Sequence, residues 1–98
     1  MHYLLMYDFA PDYLERRPEF RAEHLRNAWA AVERGELLLG GALVEPADMG
    51  VLLFDCESSA VVERFATSDP YVRSGLVTRW RVRRWLTAVG NDAESPVR

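Results

Sequence analysis

Lysine is absent from this 98-residue chain, and all twelve basic residues are arginine. That absence excludes a lysine Schiff base, lysine-held pyridoxal phosphate and a P-loop lysine. Cysteine is nearly absent as well. Cys56 stands alone, so no disulfide closes within the chain and no thiolate-rich metal site assembles from it. A reducing cytoplasm is the expected location. Long apolar runs are also missing: His2-Tyr3-Leu4-Leu5-Met6-Tyr7 has no charged lead-in, is too short for a secretory leader and runs into Asp8. No stretch approaches membrane-spanning length. There is no basic tail, and the net charge of −3 gives no surface for a phosphate backbone. Neither nucleic acid nor a membrane is an expected partner.

What remains is an ordinary globular composition, 49% hydrophobic and 28% charged, which is neither disordered nor fibrous. A chain this short forms one core, burying roughly 60 to 65% of the surface an unfolded chain exposes. The expected organisation is a single domain over residues 1–89 and a polar, unpatterned, disordered tail over 90–98.

Tyr3 to Tyr7 is apolar or aromatic throughout and reads as a strand covered on both faces. Pro11 to Arg17 reads as a loop or a short helical turn, with Pro18 at the first position of a helix over about Glu19 to Arg34. Leu25, Ala28, Trp29 and Val32 fall at i, i+3, i+4 and i+7 there, a stripe that packs on a sheet, and Gly35 ends the helix. Leu37-Leu38-Leu39 and Val51-Leu52-Leu53-Phe54 form an antiparallel hairpin around a turn at residues 45–50. Gly40-Gly41 inside it marks a bulge or a close backbone approach, since no helix N-terminus follows to make a phosphate loop. Ser58 caps a second helix carrying Val61, Val62, Phe65 and Ala66 and ending near Ser68. A last strand spans about Leu76 to Leu86.

This order predicts an α+β, ferredoxin-like βαββαβ fold, a four-stranded antiparallel sheet with its helices on one face. Three strands are apolar on both sides while the helices cover only one. A homodimer packing through the open sheet face resolves that imbalance.

Two candidate residues carry chemistry. His24 lies about 100° from Leu25 on the helical wheel, at the border of the apolar stripe. A boundary histidine snorkelling its polar edge is its ordinary reading, and a proton-transferring imidazole the functional one. Asp69 before Pro70 reads as an N-cap, a role compatible with facing a ligand or holding the imidazole. Arg21 points to the same side of the helix as His24, inside the apolar sector, where a guanidinium needs a partner. Tyr7, Asp8 and Tyr71 complete the candidate ligand-contacting set, against ordinary readings of core packing for Tyr7 and turn formation for Asp8. Arg79, Arg81 and Arg83 share one face of the last strand, as a solvated face, as ion pairs across a dimer or as an anion-binding wall. One Cys, two distant His residues and no Lys leave no ligand set for a metal or organic cofactor, so none is expected.

Arg16-Arg17, Arg21-x-x-His24-Leu25, Gly35-x-Leu37-Leu38 leading to Gly41 and Leu43, and Asp69-Pro70-Tyr71-Val72 with Gly75-Leu76 together resemble the YciI-like family of small proteins. The likeness runs from Tyr3 to about Trp85. It implies a ferredoxin-like dimer of the kind called a dimeric α/β barrel, with His24 and Asp69 as an active-site pair near the subunit interface. Gly41-Ala42 departs from the family's usual Gly-Pro step. Some relatives eliminate chloride from chlorinated aromatic diols and resemble muconolactone isomerases. The resemblance therefore implies a cofactor-free lyase or isomerase acting by proton transfer on a small oxygenated cyclic or aromatic molecule. His24 would be general acid and base, Asp69 its orienter, and Arg21 the partner of an anionic group. The alternative is a non-catalytic small-ligand-binding or accessory module using the same pocket.

Overall fold

Strict alternation sets the sheet. In a computed structural model describing residues 1–98, β1 (His2–Phe9) turns Tyr3, Leu5 and Tyr7 into the core and leaves Leu4 and Met6 on the other side. β2 (Leu37–Leu43) and β3 (Met49–Asp55) form the hairpin, and β4 (Val77–Arg84) closes the sheet. The strand order is β2-β3-β1-β4 and every neighbouring pair is antiparallel. α1 (Tyr13–Glu33), α2 (Ser59–Ser68) and the one-turn α3 (Pro70–Arg73) pack on the face that carries Leu5, Tyr7, Leu52 and Phe54. This is the ferredoxin-like arrangement read from the sequence, with α3 inserted before the last strand.

α1 starts earlier than expected. Tyr13 rather than Pro18 opens it, and Pro18 lies inside the helix. A proline there forgoes one i→i−4 hydrogen bond. The turn before it is anchored by Tyr13, only 4% exposed and stacked on Phe9 with ring centroids 3.7 Å apart. Packing of one aromatic thus carries the helix N-terminal to the proline that locally marks its start.

The α1 stripe also behaves differently. Tyr13 and Ala31 are buried, whereas Trp29 is 64% exposed and Leu25 and Val32 stand partly clear of the sheet. The strand opposite explains this, because Gly40-Gly41-Ala42 in β2 offers almost no side-chain volume to fill the gap beneath α1. The strip becomes the wall of a cleft. The sheet irregularity in β2 falls between Leu37 and Leu39, not at the glycine pair. Gly50 supplies the close approach instead: a Cβ there would lie 2.9 Å from Phe9 Cζ.

Ser58 occupies the N-cap position of α2 without a side-chain capping bond. Residues 90–98 turn back on the sheet edge. Glu94 accepts from Arg84 at 2.9 and 2.6 Å and from the His2 N–H at 2.8 Å, while Thr87 Oγ1 accepts the Glu94 N–H at 2.7 Å. No helix is long and apolar enough to cross a membrane.

Candidate functional site

Asp69 is the pivot. It ends α2 and caps α3, its Oδ1 accepting the Tyr71 N–H at 3.0 Å with Pro70 in the first turn. It is also completely buried. A buried carboxylate needs donors, and three converge: Tyr71 N–H, the Tyr7 hydroxyl at 2.7 Å, and His24 Nδ1 at 2.9 and 3.0 Å from the two oxygens. The capping and imidazole-holding readings of Asp69 are therefore both satisfied by one side chain.

Because the carboxylate only accepts, the His24 nitrogen facing it carries hydrogen and the neutral ring leaves Nε2 bare. Nε2 has no protein partner and opens on the cleft. The ring is held in its plane as well, stacked on Tyr71 at 3.8 Å and 6°. Tyr71 in turn meets Tyr13 edge-on at 6.0 Å, and Tyr13 stacks on Phe9, which lies across Gly50. An aromatic ladder thus carries the rigidity of β1 and β3 to the imidazole.

Two phenols at the site are held in their protonated form. Burial first, then the adjacent Asp69 charge and hydrogen bond, push Tyr7 far above its ordinary value. Tyr71 is pushed up to about 12 by burial and then by Tyr13, against the opposing pull of Arg21 and Arg17. Both remain protonated through the physiological range.

The cleft itself, about 470 Å³, lies between α1 and β2. His24, Arg21 and Tyr71 line it, as the sequence suggested. Three other candidates do not, and the first is Asp69, which is fully buried and reaches the cleft only through His24. Tyr7 is 1% exposed and sits beneath Asp69, where it supports the carboxylate instead of meeting a ligand. Asp8 points to the open sheet face, because alternation along β1 turns it away from Tyr7, and it pairs with Arg81 at 3.3 Å. Arg79, Arg81 and Arg83 share that open face.

The sequence reading missed Phe9, Tyr13 and Arg17, all of which line the cleft. A signal existed. Tyr13, Arg17, Arg21 and His24 follow i, i+4, i+8 and i+11 on one helical face, and it is lost once the helix is begun at Glu19. No group of three or more His, Cys, Asp or Glu side chains is placed to hold a metal ion.

A family model for the YCII-related domain matches residues 1–86. The chain belongs to that family. A solved structure similar to this YCII-related chain is 5-chloro-2-hydroxyhydroquinone dehydrochlorinase from Burkholderia phenoliruptrix, in complex with 2,5-dihydroxybenzoquinone. It shares 23% identity, covers 90% of this chain and 96% of its own, and superposes with a TM-score of 0.77. At that identity the likeness establishes the fold. No curated protein matches the chain.

Proposed function

We propose that this YCII-related protein is a small enzyme that moves a proton on an oxygenated cyclic or aromatic compound, leading to isomerisation or elimination. The observation that carries the reading is the His24 ring on the cleft wall, held at Nδ1 by the buried Asp69 with no protein partner at Nε2. Nε2 would take a proton from a carbon next to a carbonyl, the C–H electron pair moving onto the carbonyl oxygen. Returned at another carbon, the proton gives an isomer; departure of an adjacent leaving group with its electron pair gives elimination. Asp69 would stabilise the imidazolium without itself becoming protonated. General acid–base help of this kind is worth about 10²- to 10⁴-fold, enough for an acidic carbon proton. No cofactor is needed for that step. The dehydrochlorinase of like fold, whose name denotes removal of chloride, supports the elimination branch.

We further propose a homodimer through the open sheet face. Leu39 is 72% exposed there, beside Leu4, Met6, Val51 and Leu53. A cytoplasmic setting belongs to the same reading.

The test is a panel of cyclic ketones, lactones and hydroxyquinones screened by thermal shift, with hits followed by proton NMR in D2O. Solvent deuterium should enter the substrate carbon with the wild type and not with His24→Ala. Ligands that bind with no exchange and no turnover would favour the binding-module alternative.

A further inference from the structure

The cleft has a sign. Fifteen acidic residues outnumber twelve basic ones in the chain, yet no Asp or Glu lines the cleft, while Arg17 and Arg21 do. The two stand at i, i+4 on α1, adjacent along one side of the helix. Neither is paired with a carboxylate of the chain; among the arginines, the ion pairs engage Arg16, Arg34, Arg81 and Arg84 only. Arg17 is also held in place, its guanidinium carbon 5.5 Å from the centroid of the Tyr13 ring. Its Nε is the one buried side-chain nitrogen or oxygen in the molecule without a hydrogen-bond partner. A buried N–H left unmade is costly, and in a cleft it points to an acceptor delivered by a ligand.

We propose that Arg17 and Arg21 form an anion subsite, and that the ligand is a small ring compound bearing a planar oxyanion, either a carboxylate or the enolate oxygen of an acidic enol. Two guanidiniums give the forked donor geometry that such an oxyanion accepts. The apolar wall of Leu25, Trp29, Val32, Leu37 and Leu52 takes the ring. His24 Nε2 on the same cleft then faces the ring and not the anion. This assignment rests on the cleft being the substrate site, and it stands whether or not His24 transfers a proton.

The experiment is an NMR titration of the full chain with benzoate, its uncharged isostere benzamide, and 2,5-dihydroxybenzoquinone, which is anionic at neutral pH. At least one anion should bind about tenfold or more tightly than benzamide, a difference of about 1.4 kcal/mol. Benzoate doing so assigns the carboxylate, and the quinone doing so assigns the enolate. Arg17→Gln and Arg21→Gln should each weaken that anion about tenfold and leave benzamide unchanged. Arg17→Lys should recover only part of the loss, because an ammonium has no Nε and no fork. His24→Ala should retain anion binding, which separates the subsite from the proton-transfer reading. If Arg17→Gln fails to fold, the exposed Arg21 decides through Arg21→Gln. The proposal is overturned if neither anion binds more tightly than benzamide, or if both glutamine variants that fold bind the anion like wild type.

Discussion

Asp69 holds His24 from 45 positions away, both carboxylate oxygens lying within 3.0 Å of Nδ1 while the rest of the carboxylate is claimed by Tyr7 and the Tyr71 N–H. Such a carboxylate dictates which imidazole nitrogen carries hydrogen. Asp69→Asn keeps the shape and an oxygen for the Tyr71 cap. If its amide nitrogen turns to His24, Nδ1 must accept and Nε2 carries the hydrogen. Nitrogen-15 NMR of the imidazole should show the Nδ1–H tautomer in the wild type and the Nε2–H tautomer in the variant. Turnover should fall about 10²-fold or more.

Raising pH should release the phenols late and weaken the fold. Tyr71 is raised from 10.0 to about 12 in the folded chain, and Tyr7 is raised further by burial beside Asp69. A group whose folded pKa lies above its unfolded value contributes its full stability below the unfolded pKa and loses it as pH climbs through the folded one. Denaturant midpoints should therefore hold up to pH about 10 and fall between about 10 and 12. Phenolate absorbance should show Tyr7 and Tyr71 titrating only at the top of that window or on unfolding. Tyr7 and Tyr71 titrating near 10 with the fold intact would contradict their buried arrangement.

Gly40 is expected to tolerate a side chain that the ligand does not. Its backbone is not in the left-handed region, and a Cβ would meet Leu52 Cγ at 3.4 Å, an ordinary contact. Gly40→Val adds a good strand former and fills the cleft floor. Thermal stability should stay within about 1 kcal/mol of wild type while binding of any cleft ligand is lost. Gly50→Ala is the contrasting case. Its methyl collides with the Phe9 ring at 2.9 Å, so it should lower stability and loosen the ladder beneath His24.

The open sheet face sets the fourth expectation. Light scattering at micromolar concentration should give twice the chain mass, and Leu39→Glu should return a monomer with its far-ultraviolet spectrum intact. A wild-type monomer at that concentration would remove the sheet-to-sheet dimer.

Residue pattern alone was enough for βαββαβ, because doubly apolar β1 and β3 and the α2 periodicity are local properties of consecutive residues. It also marked His24 and Asp69, the one as an imidazole at the edge of an apolar stripe and the other as an Asp-Pro cap. Tertiary structure alone decided how the two are placed. Only packing brings the two together, drives Asp69 to full burial and recruits Tyr7 from β1 as a third donor. The start of α1 escaped the sequence reading because Pro18 reads locally as a first helical position, a signal outweighed by Tyr13 wedged between Phe9 and Tyr71. The cleft escaped it for a related reason. Its existence depends on a helix stripe facing Gly40-Gly41-Ala42 across a gap, and a volume left unfilled between two elements is written in neither of them separately.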